Sequence, residues 1–236
     1  LFDKEVNERA PRDNFFHCLV NAAHQFHRRE SNDDRYIIAG YPWFKCRARD
    51  TFISLPGLTL SIEEDDYFEL VMKTAMKGYY EFMEGKPVTV HIAEIDQPDV
   101  PLWAVWALQQ YAKEKGKEAC LKKYGKFIKD VVMYVKCNHH PNLKLMPNGL
   151  LYTDGKDKAV TWMNSTANGH PVVPRTGYIV EFNALWYNAL CFCASLCELA
   201  GKEKDQQQFL EAAELAKQSF LDTFLNEYGY LYDYVD

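Results

Sequence analysis

Apolar residues along the chain recur mostly at helical spacing. From Asp13 to Arg29, Phe15, Phe16, Leu19, Ala22, Ala23 and Phe26 form one stripe at i, i+3, i+4 and i+7, the period of an amphipathic helix. Ser61 and Glu64 stand at the spacing of a capping box, in which each side chain takes up an orphan backbone N–H of the first turn. This predicts a second long helix reaching about Met83 and stopping at Gly85. Pro101 suits the first turn of a third, carrying Leu102, Trp103, Val105, Trp106 and Leu108 before Gly116. Further helices are predicted from about Lys117 to Cys137, from Glu181 to Ala200 and from Lys202 to Leu225. A shorter one follows Asp50 and is expected to break near Pro56–Gly57. The segment after Glu181 is apolar almost all round, so it is expected to be buried on several sides. That makes seven helices.

Strand signals are few. Val88 to Ile92 and Gly149 to Tyr152 read as short strands or extended loop edges. Polar loops fill 138–148 and 153–178, and loops of this length tend to carry function. No Gly/Ser linker and no internal repeat interrupts the helices, so the expectation is one all-α domain over 1–236, a helical array whose loops at helix ends build a site.

Composition narrows the function classes. An apolar content of 47% and a charged content of 25% exclude a disordered or fibrous chain. A net charge of -6 removes the usual footprint of nucleic-acid binding and leaves no basic stripe for a membrane surface. No eighteen-residue apolar run is present to span a bilayer. Aromatic residues make up 14% of the chain, and such rings suit the flat faces of sugars as well as cores. The seven cysteines lack zinc-ligand spacing, and three crowd one apolar helix, which points to reduced thiols and a cytoplasmic setting. No signal peptide is visible, and a start without Met reads as a processed chain or an excised piece. His17, His24 and His27 share the first helix with no converging partner evident, so they read as solvated or core histidines rather than metal ligands. The absence of a Gly-rich phosphate loop and of Gly-x-Ser-x-Gly argues against nucleotide and acyl chemistry. Neither cofactor nor metal is expected.

Two stretches carry candidate chemistry. The first, Ala39 to Ile53, sets Tyr41, Pro42, Trp43 and Phe44 ahead of Arg49–Asp50 at a helix start. Asp50 suits an N-cap, and equally Arg49 with Asp50 suits a grip on vicinal hydroxyls. The second runs through Thr161-Trp162-Met163-Asn164, Pro174-Arg175 and Val180-Glu181-Phe182-Asn183. Glu181 serves either as a first-turn carboxylate favoured by the helix dipole or, with Arg175, Trp162 and Asn183, as the lining of a polar pocket.

Together these stretches resemble the glycogen debranching enzyme family, specifically its amylo-α-1,6-glucosidase domain, related to glucoamylases. The family patterns AGYPWF-x-x-WGRDT-x-I-x-LPGL and TWMD…PR-x-G-x-x-VE-x-NALWYNAL match across nearly all of 39–58 and 161–190. Asp99-Val-Pro-Leu-Trp103 and Gly229-Tyr-Leu-Tyr-Asp233 fit two further family segments. The resemblance implies a partial (α/α)6 toroid, or six-hairpin barrel, truncated on its C-terminal side. It also implies inverting hydrolysis of α-1,6-linked glucose at a glycogen branch point, with two carboxyls set apart around a water. The substrate would be an α-glucan or branched oligosaccharide. Arg49 and Asp50 would hold glucose hydroxyls, while Trp43, Trp103 and Trp162 offer ring faces and Arg175 joins the binding residues.

The chain departs from the family in three places. WGRD reads Arg47-Ala48-Arg49-Asp50, so a cation replaces an aromatic wall. The general-acid aspartate of TWMD is Asn164, and an amide does not serve as a proton donor. The family's general base lies beyond residue 236. Glu181 is the favoured substitute acid, ahead of Asp154 and Asp157. A carbohydrate-binding relative without chemistry, a variant altered on purpose and a helical scaffold stand as alternatives. A partial toroid is also expected to expose apolar edges, and so to meet the remainder of its own chain or to self-associate. The glucosidase reading expects Arg49–Asp50 and the Trp162–Glu181 stretch to converge on one sugar-sized hollow.

Overall fold

The structure is a computed structural model that describes residues 11–30, 33–41 and 43–236; Pro42 of the first motif lies outside the described residues. The chain divides into two compact units, Leu1–Ile95 and Asp96–Asp236.

In the first unit, α1 (Phe15–His24) begins at Asn14, whose side chain accepts from the His17 N–H at 2.9 Å. The helix is shorter than its apolar stripe. Gln25 and Phe26 close it with bonds to Ala22 and Ala23, and the chain leaves as β1 (His27–Arg29), antiparallel to β2 (Arg35–Ile37). Of the stripe, Ala23 is buried while Phe15, Phe16 and Leu19 are exposed. Helix α2 (Ala48–Leu58) passes through Pro56 instead of breaking there. Its end is closed by the Thr59 hydroxyl, which donates to Leu55 O at 2.5 Å. A 3₁₀ turn (Leu60–Ile62) leads to α3 (Asp65–Met83).

The expected capping box does not form. Ser61 lies in the 3₁₀ turn, and Glu64, at the N-cap, makes no side-chain cap bond; its carboxylate faces His24 and His27 instead. Residues 88–92 form no strand, although Ala93 bridges Arg47 in parallel. Tyr36, Phe52, Leu55, Phe68 and Met72 are fully buried, each large apolar side chain contributing about 1.5–3 kcal/mol by leaving water.

The second unit is built on α4 (Val100–Lys115), α5 (Lys117–Lys136), α6 (Val180–Leu199) and α7 (Glu203–Phe224). Gly116, at φ +91°, makes the reversal between α4 and α5, a backbone conformation that suits glycine best. Helix α6 packs against α4, α5 and α7 and buries Phe182, Trp186 and Leu190, as its all-round apolar pattern predicts. A four-stranded antiparallel sheet runs β3 (Lys144–Leu145), β4 (Leu151–Thr153), β7 (Gly177–Ile179), β8 (Tyr234–Val235). A separate hairpin pairs β5 (Thr166–Ala167) with β6 (His170–Pro171) through Asn168–Gly169, both at positive φ, as two-residue hairpin turns require.

The fold is therefore mostly helical, with seven α-helices among the described residues. The all-α expectation needs correction by three small sheets. One takes up the end of the expected first helix, one is built on the extended segment expected at Gly149–Tyr152, and one lies in the loop 153–178, because backbone groups held against a helical core must find partners.

Candidate functional site

The centre of the second unit's chemistry is a buried cation. Arg175 is 1% exposed. Its Nη1 donates to Glu181 Oε1 at 2.5 Å and its Nη2 to Oε2 at 2.8 Å. From the other side, Nε donates to Asp233 Oδ2 at 3.0 Å and Nη2 to Oδ1 at 2.7 Å. The guanidinium is thus clamped by two carboxylates in the paired geometry that makes such contacts strong. Burial acts to lower the Arg175 pKa, but hydrogen bonding and charge from Glu181 and Asp233 outweigh it and raise it. Glu181 stands in the first turn of α6, where the helix dipole favours an anion.

The surrounding backbone fits this cluster closely. A Cβ on Gly155 would lie 2.1 Å from Arg175 O, so only glycine permits the approach, and the Gly155 N–H donates to Thr176 Oγ1 at 3.0 Å. Asp233 is delivered by the segment after α7: Tyr232 N–H bonds Phe224 O, and Val180 N–H bonds Asp233 O. Asn183 is buried and fully used, accepting from Leu151 N–H at 2.6 Å and donating to Leu151 O and Ile179 O. The sequence suggests it as a pocket residue; its role is to tie β4 to α6. The same end of the unit includes Asp96, whose carbonyl accepts from Asn142, while Asn142 O accepts from Thr153 in β4.

The other expected residues are placed as follows. In the second unit, Trp162 is 60% exposed, and Asn164 is exposed just ahead of the β5–β6 hairpin. Trp103, in the first turn of α4, donates from Nε1 to Asp99 Oδ2 at 3.2 Å and meets Trp106 edge-on. Asp154 accepts from the Lys156 N–H. In the first unit, Trp43 is 82% exposed in the turn where Phe44 N–H bonds Gly40 O. Arg49 is buried, and Asp50 lies in the first turn of α2. The N-cap there is Arg47, so the capping reading of Asp50 is corrected. Arg47, the cation in place of an aromatic wall, lies over the Phe44 ring at 5.1 Å and reaches Glu94 at 3.6 Å.

A profile of the amylo-alpha-1,6-glucosidase family matches residues 20–236. The chain belongs to this family. No curated protein matched the chain. In this amylo-alpha-1,6-glucosidase domain, Arg175, Glu181 and Asp233 are the charged residues that the fold assembles from two of the recognised motifs. Sequence reasoning assigned no role to Asp233, although the motif that contains it was legible. No helix among the described residues is long and apolar enough to cross a membrane, and all seven cysteines are free thiols.

Proposed function

We propose that the protein is a glycoside hydrolase of the debranching type, releasing α-1,6-linked glucose from a branched α-glucan by an inverting mechanism in a cytoplasmic setting. The observation that carries this reading is the family match over nearly the whole chain. Inversion needs an acid at the glycosidic oxygen and a base-activated water on the opposite face, and no cofactor enters. The (α/α)6 toroid belongs to the same proposal.

Arg49 and Asp50 bind glucose hydroxyls in this scheme, and Trp43, Trp103 and Trp162 supply ring faces. The strong exposure of Trp43 and Trp162 suits contact with a ligand. Arg175 serves binding as a positioning residue, because its donors are directed to Glu181 and Asp233. Glu181 is the substitute for the acid lost at Asn164. Both its oxygens accept from Arg175, and each keeps a second lone pair. The exposed leucines Leu210, Leu215 and Leu221 of α7 support association with a further polypeptide surface.

The test is glucose release from a branched limit dextrin by the full-length protein, with the product anomer followed by NMR. Glu181→Gln is expected to lower turnover by at least about 100-fold, the usual worth of acid catalysis; unchanged turnover would remove Glu181 from the acid role. Asn164 favours a second reading, a glucan-binding relative without hydrolysis. That reading expects calorimetric binding of the dextrin with no glucose released, and release restored by Asn164→Asp.

A further inference from the structure

Two histidines read from sequence as solvated or core residues have a partner that the sequence hides. His24, in the last turn of α1, and His27, in β1, converge on Glu64, the N-cap residue of α3, and their ligand atoms all lie within 4.8 Å of one another. His24 Nε2 is hydrogen-bonded to Glu64 Oε1. His27 Nδ1 faces Glu64 Oε2 at 3.4 Å.

The protonation pattern of His27 is set from its other side. Nε2 lies 2.9 Å from the carbonyl of Leu58, which only accepts, so Nε2 carries the hydrogen. In the neutral ring Nδ1 is then a bare lone pair pointing at a carboxylate. The Nδ1–Oε2 separation of 3.4 Å is longer than a charge-assisted bond, about 2.7–2.9 Å. It matches two ligands on one tetrahedral ion, since bonds of about 2.0–2.1 Å at tetrahedral angles set ligand atoms roughly 3.3 Å apart.

The supporting shell has the same character. A metal-binding histidine commonly donates its second N–H to a backbone carbonyl, as His27 does to Leu58. The ring is also stacked on Tyr67, with centroids 3.9 Å apart. Tyr67 is anchored in turn, its hydroxyl lying within hydrogen-bonding distance of Arg28 O and Tyr36 O.

We propose that His24, His27 and Glu64 form a binding site for a divalent cation of the zinc class, which fastens α1, β1 and the start of α3 together. Two imidazoles and one carboxylate suit Zn²⁺, Co²⁺ or Ni²⁺, whereas Ca²⁺ and Mg²⁺ call for oxygen ligands. The His24–Glu64 contact is closer than two ligands on one ion, so binding opens that hydrogen bond. With the His24 and Glu64 side chains 29% and 33% exposed, a fourth position is open to water. The site is independent of the glycosidase reading, and neither result decides the other.

The test titrates the full-length protein with Zn²⁺ by calorimetry and with Co²⁺ by visible absorption. One equivalent is expected, with a Co²⁺ spectrum lacking thiolate charge transfer and a Tm raised by Zn²⁺. Glu64→Gln and, separately, His24→Gln are expected to weaken binding by at least about tenfold. Each variant should keep the helical circular dichroism of the metal-free parent, so a folding failure in one leaves the other to decide. Zn²⁺ affinity unchanged in both variants, binding abolished by thiol alkylation, or no binding by the parent would overturn the assignment.

Discussion

The Arg175 cluster and the His24–His27–Glu64 cluster use similar polar groups to different ends. Around Arg175 a buried cation meets two carboxylates, and its hydrogen bonds run to Glu181 and Asp233. Around Glu64 a carboxylate faces Nδ1 of His27 at 3.4 Å, while Nε2 of the same ring is taken up by the Leu58 carbonyl. The first cluster carries its own cation, which holds Glu181 in place for its proposed role. The second places two electron-rich atoms face to face, an arrangement that is resolved by a positive charge between them. A resident cation in one cluster, and none in the other, thus separates the two.

The largest test of the comparison removes the central cation. Arg175→Ala should cost about 3–4 kcal/mol, since it leaves two carboxylates together without their counterion. Glu181 and Asp233 are 25% and 54% exposed, so water covers part of the loss. Urea unfolding measures it, and a cost below about 1 kcal/mol would show that the cluster does not organise this unit.

A third polar environment sharpens the contrast. His140 is 2% exposed, and burial, the largest influence, pushes its pKa down to about 4 from 6.5, with Asp96 opposing the shift. Its folded-state pKa lies below the unfolded value, so the stabilisation is complete above pH 6.5 and is lost as pH falls towards about 4. The loss is roughly 3 kcal/mol. His140→Gln should flatten the fall in unfolding free energy between pH 7 and pH 4; an unaltered pH profile would contradict this.

The smallest expected effect comes from the backbone around Arg175. Gly155→Ala drives a Cβ into Arg175 O and should cost about 2 kcal/mol through strain. Because it shifts the arginine without removing it, dextrin turnover should fall more than stability. If stability falls and the kinetics do not change, the link between this loop and the site is broken.

How much of this was legible in the sequence depended on range. Helices α4 to α7 announce themselves within twenty-odd residues, through periodicity and terminal glycines such as Gly116 and Gly201. The error at Ser61–Glu64 has the same root: the local spacing favours a capping box, but the Glu64 side chain is drawn to His24, forty residues away. Strands such as β3 and β8, two residues each, are too short to show alternation. Arg175 and Glu181 lie six residues apart and were legible as a pair. Asp233, fifty-eight residues from Arg175, was visible only as part of a motif, because nothing local states which cation it meets.

That last separation bears on how the protein is made. Arg175 and Glu181 leave the ribosome well before the turn after α7, Asp233 lying 58 positions beyond Arg175. At roughly 5–20 residues per second the arginine waits about three to twelve seconds for its second carboxylate. During synthesis the cation is therefore first paired with Glu181 alone, and the arrival of Asp233 ahead of strand β8 turns a neutral pair into a triad with one carboxylate in excess.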